Sequence, residues 1–265
     1  MSAVPRPLAS DRALATMATL EEFWAEAGVP PRELPRQRFN RRRYLPLLDF
    51  IEAHPPSPDS QTLDIGAGIG NLCVAMRARF GGRFHYADYT LPSPGLQELL
   101  RRHGVERFFA INLAEPNPFT QVEERYDRVL LTEVLEHLLV NPIRLFRSIA
   151  GLLNPGGRLL LTTPNQARAT NRLRLLLGRS IREPNAFPSE DRPLFGHVAE
   201  YTVPDLRGFL DLSGFTVERT AVIQNLPSMN PSAVRRGLVR LLNTAPGRRL
   251  ALGDDLLIEA RKTSG

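Results

Sequence analysis

The sequence predicts an α/β protein in which a largely parallel sheet carries helices on both faces. Short apolar runs alternate with helical patterns after residue 60, and this alternation is typical of βαβ units. The first predicted strand runs directly into a glycine-rich turn, and a helix follows that turn. A length of 265 residues suits one such domain with added segments. We therefore expect one α/β domain over 61–265, preceded by a helical cap and linker over 1–60.

The expected elements follow one another along the chain. Strands are expected at Thr62–Ile65, Phe84–Ala87, Phe108–Ile111, Arg128–Leu131, Arg158–Thr162, Phe215–Ile223 and Asp255–Ala260. Helices are expected at Leu20–Ala27, Tyr44–Ala53, Asn71–Phe80, Gly95–His103, Pro142–Leu153 and Val203–Ser213. Residues 54–60 are rich in proline and serine and are predicted to form a linker. Two long interruptions, 164–202 and 224–250, are predicted to be lids or binding loops.

The composition predicts a cytosolic protein. No stretch approaches the roughly 18 consecutive apolar residues of a transmembrane helix, and the N-terminus lacks the basic-then-apolar order of a secretory signal. The single cysteine, Cys73, cannot form an internal disulfide, which fits a reducing compartment. Cys73 stands in an apolar helical pattern and is therefore predicted to be buried.

The net charge of +6 is unevenly distributed along the chain. Three arginine-rich segments, 32–43, 165–183 and 231–250, carry +5, +4 and +5, so the rest of the chain is at −8. Leucines accompany the arginines in the last two segments. This pattern predicts either lids whose apolar face closes over a substrate or helices in peripheral contact with an anionic membrane, and both can hold at once. A nucleic acid is disfavoured as the partner, because the segments are leucine-rich rather than interleaved with exposed aromatic residues.

The glycine-rich turn is the most specific motif in the chain. Glycines stand at alternate positions, Gly66, Gly68 and Gly70, which suits a tight turn whose backbone N–H groups approach a ligand. A dinucleotide-binding turn would need a further glycine where this chain has Asn71. Asp64, two residues before the first glycine, would repel a pyrophosphate but would favour the cationic end of a sulfonium cofactor. The motif therefore argues against a nicotinamide-dependent oxidoreductase.

Two more polar residues end predicted strands. Asp88 comes 24 residues after Asp64, about where a carboxylate accepts both ribose hydroxyls in such folds. Asn112 ends the third predicted strand, where it is a candidate for the exocyclic amine of adenine or a simple turn residue.

The order of these motifs resembles the class I S-adenosylmethionine-dependent methyltransferases. The resemblance covers about residues 61–223 and includes the segments Tyr126–His137, Leu153–Arg158 and Thr162–Asn165. It implies a Rossmann-like, seven-stranded, mostly parallel sheet with a reversed last hairpin, and S-adenosylmethionine as the cofactor. It implies cofactor-binding residues at Asp64, Gly66, Ala67, Gly68, Gly70, Asp88, Tyr89, Asn112, Leu113, Thr132 and Glu133.

An acidic cluster with a histidine follows the fourth predicted strand. Glu133, Glu136 and His137 stand at i, i+3 and i+4, and on a helical turn they would share one face. The turn resembles that of the ubiquinone-pathway O-methyltransferases and the small-RNA 2′-O-methyltransferases, where it can hold a metal. Carboxylates with an imidazole suit a divalent cation, and the hard oxygens favour Mg²⁺. His197, from the later interruption, would complete the set.

The expected chemistry is methyl transfer to a hydroxyl. The nucleophile must lie about 3–3.5 Å from the methyl carbon, and a hydroxyl must lose its proton to a base or to the effect of a metal. His137 and His197 are the candidate bases; a metal site and a structural role for the turn remain alternatives. The predicted acceptor is a small molecule, a glycan or a lipid-linked precursor. A non-catalytic module that binds the cofactor and an RNA methyltransferase are the competing functions.

Overall fold

A computed structural model describes residues 11–181, 196–223 and 252–263. The strands are β1 (Gln61–Ile65), β2 (Arg83–Asp88), β3 (Val105–Ala110), β4 (Tyr126–Thr132), β5 (Leu153–Pro164), β6 (Phe215–Ile223) and β7 (Asp255–Lys262). They form one sheet in the order β3-β2-β1-β4-β5-β7-β6. β7 runs antiparallel to β5 and β6, and the other neighbours pair in parallel. The expected Rossmann-like, seven-stranded sheet with a reversed last hairpin is confirmed.

Seven α-helices accompany the sheet in the described ranges. They are α1 (Asp11–Glu26), α2 (Leu34–Ile51), α3 (Asn71–Phe80), α4 (Pro94–Arg102), α5 (Pro142–Leu152), α6 (Ala169–Leu176) and α7 (Val203–Asp211). A 3-10 turn, Leu135–His137, follows β4. Side-chain caps begin several helices; the Asn141 oxygen, for example, accepts hydrogen bonds from two N–H groups at the start of α5. None of these helices is long and apolar enough to cross a membrane.

The two cap helices are longer than the sequence predicts. α1 begins at Asp11 rather than near Leu20, and α2 joins most of the segment 32–43 to the helix expected at Tyr44–Ala53. α2 continues through Pro46, which cannot donate to the helix ladder. The apolar residues beyond this proline are buried against the sheet domain, and this packing outweighs the lost hydrogen bond.

The two predicted interruptions have different outcomes. Part of 164–202 is not a loop: β5 continues to Pro164, and α6 follows within the same segment. These residues are therefore regular, and α6 agrees with the helix that the arginine-leucine pattern of 165–183 predicts as one alternative. The segment 224–250 lies outside the described residues.

Alternate residues of the central strands point into two separate apolar layers. Leu131 and Leu161 face α5 and α7, whereas Leu130 and Leu160 face α3, α4 and both cap helices. Phe23 and Trp24 of α1, which are fully buried, belong to the second layer, as does Cys73. The burial predicted for Cys73 is confirmed. The cap therefore shares one core with the domain beneath it.

Candidate active site

The glycine turn needs its glycines for two different reasons. All three have positive φ, at 75° for Gly66, 58° for Gly68 and 87° for Gly70. A Cβ on Gly66 would lie 2.3 Å from Val134, and one on Gly70 would lie 2.4 Å from Leu100, so these positions also serve close packing. Around Gly68 nothing lies within 4 Å of such a Cβ. Space for a ligand is thus open beside the Cα atom of Gly68, whose N–H and carbonyl groups bond to Asp88 and Tyr86.

A cavity of about 450 Å³ lies between this turn and the cap. The cap lines it with Glu33, Arg36, Gln37, Arg43, Tyr44 and Leu47. Of the residues predicted to bind the cofactor, the cavity is lined by Asp64, Gly66, Ala67, Gly68, Thr132 and Glu133. The others lie outside its lining: Gly70, Asp88, Tyr89, Asn112 and Leu113. Asp64, which is predicted to favour the cationic end of the cofactor, therefore shares one cavity with part of the glycine turn and with Thr132 and Glu133.

Asp64 is a buried carboxylate in the wall of this cavity. Its Oδ2 atom accepts a hydrogen bond from the Cys73 thiol at 3.4 Å, and Oδ1 has no hydrogen-bond partner among the described residues. Burial raises the pKa of Asp64 to about 7. A buried acceptor without a donor is costly, so a cationic ligand that reaches Oδ1 would be bound favourably.

The residues predicted to contact the adenosine make local bonds at the strand ends. Asp88 accepts hydrogen bonds from the N–H of Gly68 at 2.8 Å and from the N–H of Tyr89 at 2.6 Å. The Asn112 oxygen accepts from the N–H of Ala114 at 3.1 Å. Asp88 thereby ties β2 to the glycine turn. Contacts of Asp88 and Asn112 with a nucleoside stay predictions.

Both cap helices hold the site through polar bonds that the sequence did not predict. Arg43 of α2 lies 2.8 Å from the Glu133 carboxylate and 3.5 Å from that of Asp255 at the start of β7. Asn71, next to the glycine turn, accepts from the indole N–H of Trp24 at 2.7 Å and donates to residues of α2. Arg43 belongs to the arginine-rich segment 32–43, whose charge predicts contact with a substrate or an anionic surface rather than with internal carboxylates. Its partner Glu133 is 90 residues away, so no local pattern could identify it.

Glu133 and Glu136 lie on opposite sides of β5. Glu133 accepts a hydrogen bond from the Thr162 hydroxyl at 2.9 Å, and Glu136 accepts one from the Thr163 hydroxyl at 3.1 Å. Consecutive residues of a strand point to opposite faces. Glu133 has a φ of 56°, and the 3-10 turn begins only at Leu135. The prediction that Glu133, Glu136 and His137 share one face is therefore wrong.

Glu136, His137 and His197 form what we call the histidine cluster. Their polar atoms lie within 4.8 Å of one another, and the two imidazole rings are 5.2 Å apart. Glu136 is fully buried, and its Oε1 atom has no hydrogen-bond partner among the described residues. Burial, together with the nearby Glu133 charge, raises the pKa of Glu136. His197 thus lies where the sequence analysis expected it, beside His137, although neither histidine lines the cavity.

The donor set of the histidine cluster does not support Mg²⁺. Mg²⁺ requires near-octahedral oxygen ligands, whereas this cluster offers two imidazoles and one carboxylate. Such a set suits cations of the zinc, manganese or iron class. The unpartnered Oε1 atom of Glu136 is consistent with a cation at this point.

Comparison with known sequences identifies the family. Residues 36–220 match a family model described as a methyltransferase domain. The ubiquinone biosynthesis O-methyltransferase of Xanthomonas campestris pv. campestris is 32% identical over 155 residues, which are 57% of this chain and 60% of that relative. The chain thus matches less than two thirds of the length of this relative.

Solved structures share the fold at low sequence identity. The methyltransferase in complex with the Trm112 methyltransferase activator of Haloferax volcanii is 15% identical with a TM-score of 0.56, covering 95% of this chain and 98% of that one. An N-methyltransferase of Bradyrhizobium japonicum in complex with S-adenosylhomocysteine is 19% identical with a TM-score of 0.51, covering 94% and 100%. Because the family model spans well over half of the residues, the chain belongs to the methyltransferase-domain family, as a class I S-adenosylmethionine-dependent member.

Proposed function

We propose that the chain transfers the methyl group of S-adenosylmethionine to a hydroxyl of a small-molecule, glycan or lipid-linked acceptor. The observation that carries this proposal is the buried, unpartnered oxygen of Asp64 in the same cavity as the empty space beside the Gly68 Cα atom. A compact ligand with a cationic end satisfies both features. The matched relatives are named as O-methyltransferases, which favours oxygen as the accepting atom.

Asp64 is the residue that we assign to the methionine end of the cofactor. When bound, the cofactor supplies an electrophilic methyl group on its sulfonium centre. A nearby positive charge favours the ionised form of a carboxylate, so ligand binding lowers the pKa of Asp64 from about 7. Thr132 and the hydrogen-bonded pair Glu133 and Thr162 form the adjoining wall.

The histidine cluster is the candidate for removing the hydroxyl proton. The acceptor oxygen forms a bond to the methyl carbon as the carbon–sulfur bond breaks, and its proton passes to an imidazole nitrogen. Glu133 is a poorer base, because its two oxygens already accept hydrogen bonds from Thr162 and Arg43. The same cluster also fits a cation, which would lower the pKa of a bound hydroxyl.

The surface of α6 favours an amphiphilic acceptor or an anionic membrane surface. Leu173, Leu175 and Leu177 are 58–60% exposed, and Leu176 is 84% exposed. Arg172, Arg174 and Arg179 belong to the same segment. Arg168 of this segment pairs with Glu200, and in the first arginine-rich segment Arg38 and Arg43 pair with Glu21 and Glu133. The third segment, 231–250, lies outside the described residues, so the argument rests on α6.

Calorimetry with S-adenosylhomocysteine and with NAD tests the cofactor. We expect the first to bind and the second not to bind. Asp64→Asn should weaken binding, whereas the exposed control Asp59→Asn should not. Tighter binding of NAD than of S-adenosylhomocysteine would contradict the proposal.

Transfer is tested with methyl-labelled S-adenosylmethionine, a free catechol and a prenylated catechol in micelles. Mass spectrometry should identify a methyl ether. Amine-bearing compounds are assayed in parallel. If only these compounds become labelled, oxygen is rejected as the accepting atom.

A further inference from the structure

Glu200 lies behind His197 and connects it to α6. Its Oε1 atom lies 3.1 Å from His197 Nδ1. Its Oε2 atom accepts hydrogen bonds from the Arg168 guanidinium at 2.7 Å and from the Asn171 amide at 3.2 Å. The Glu200 side chain is only 11% exposed. One partly buried carboxylate is thus shared by three groups from two segments of the chain.

The donors around Glu200 make its carboxylate an acceptor. The Arg168 guanidinium carries a permanent charge and can only donate, and the Asn171 amide donates to the same Glu200 oxygen. An ionised carboxylate can only accept hydrogen bonds. The ring nitrogen that faces it, Nδ1 of His197, is therefore the donor, and the neutral ring carries its lone pair on Nε2.

His137 has the same tautomer for an independent reason. Its Nδ1 atom lies 3.3 Å from the carbonyl oxygen of Gly196, which can only accept. Its Nε2 atom lies 3.8 Å from Oε1 of Glu136. The histidine cluster thereby combines two imidazole lone pairs with one carboxylate, and an outer hydrogen bond fixes each ring.

We propose that Glu200 is the positioning residue of the histidine cluster. It orients the His197 ring and keeps the proton on Nδ1, so that Nε2 can accept a hydroxyl proton or bind a cation. Arg168 and Asn171 complete the arrangement, because they hold the carboxylate in place from the start of α6. Only the use of the Nε2 lone pair rests on the proposed function; the tautomer does not.

Glu200→Gln is the decisive substitution, since it changes the charge and hardly the shape. The amide oxygen of the new side chain is drawn to the two donors, Arg168 and Asn171. Its NH₂ group then faces His197 Nδ1 and donates to it, which moves the ring proton to Nε2. Nitrogen-15 NMR of the histidine side chains measures this directly, with His197→Gln assigning the signal. We expect Nδ1–H in the native protein and Nε2–H in Glu200→Gln.

Glu218→Gln is the matched control. It makes the same substitution at a glutamate of β6 that bonds Arg158 and Arg261, away from the histidine cluster, so the His197 tautomer should not change. In the methylation assay, Glu200→Gln should lower kcat at least about 10-fold, the usual effect of losing such an outer hydrogen bond. KM for the cofactor should stay the same, because Glu200 does not line the cavity.

Two NMR results would overturn the inference. One is Nε2–H on His197 in the native protein, and the other is an unchanged tautomer in Glu200→Gln. The proposed function fails by other measurements: absence of S-adenosylhomocysteine binding or of methyl transfer would leave the tautomer result standing.

Discussion

Asn71→Ala removes the residue through which both cap helices hold the cofactor turn. The Asn71 oxygen accepts a hydrogen bond from the indole N–H of Trp24 in α1 at 2.7 Å. Its NH₂ group donates to the Gln37 side chain at 2.9 Å and to the Tyr44 hydroxyl at 3.2 Å, both in α2. A methyl group in place of this amide ends all three bonds at once.

The cost can be estimated bond by bond. Trp24 is fully buried, so its orphaned N–H costs about 1–3 kcal/mol. Gln37 and Tyr44 are partly buried, and each lost bond there costs roughly 0.5–1.5 kcal/mol, less where water replaces the amide. These costs add to about 2–6 kcal/mol, and water at the two partly buried groups reduces the expected total to about 2–4 kcal/mol. In a protein of this size each kcal/mol shifts Tm by about 2–4 °C, so we expect a fall of roughly 5–15 °C.

Thermal melts followed by circular dichroism, and calorimetry with S-adenosylhomocysteine, measure the two consequences. Affinity should fall together with Tm, because Gln37 and Tyr44 also line the cavity. Asn117→Ala, at an exposed position, is the control and should change stability by less than about 0.5 kcal/mol. An Asn71→Ala protein with native Tm and native affinity would refute the role assigned to this residue.

Three further predictions concern charge, metal and membrane. Burial raises the pKa of Asp64 from 3.8 to about 7, so the folded protein favours the neutral carboxyl group and loses stability as the pH rises through that range. Asp64→Asn removes the buried charge and should therefore raise the Tm of the ligand-free protein at pH 8 but not at pH 4. If the histidine cluster holds a cation, exhaustive chelation should abolish turnover and spare S-adenosylhomocysteine binding; full activity afterwards would leave the imidazoles as bases. The protein should co-sediment with anionic vesicles, less so at high salt or in the double variant Leu173→Ser/Leu176→Ser, whereas Leu212→Ser should behave as native. Absence of binding to any anionic vesicle would leave α6 as a lid.

Local signals were sufficient for the sheet domain and insufficient for the cap. The alternation of strands and helices and the turn at Gly66 depend on neighbours in sequence, and the structure has them in the predicted order, with β3 starting at Val105 and β5 extended to Leu153–Pro164. α2 depends instead on distant groups. Arg43 pairs with Glu133 and Asp255, and the helix tolerates Pro46 because of the burial that follows it. A charge count over 32–43 cannot distinguish an arginine with internal partners from one that faces solvent.

The error at the acidic cluster has a clear physical origin. Residues spaced like Glu133 and Glu136 share one face only when they lie on a helix. Glu133 lies instead at the end of a strand, where its backbone is left-handed. The neighbouring strand decides the arrangement instead, because Thr162 and Thr163 offer one hydroxyl to each face of the sheet. The two adjacent threonines at the end of β5 are therefore the sequence feature that predicts the separation of Glu133 from Glu136. It follows for the proposed reaction that the cavity wall and the histidine cluster lie on opposite sides of β5, so an acceptor hydroxyl must lie at the carboxyl end of this strand to reach both.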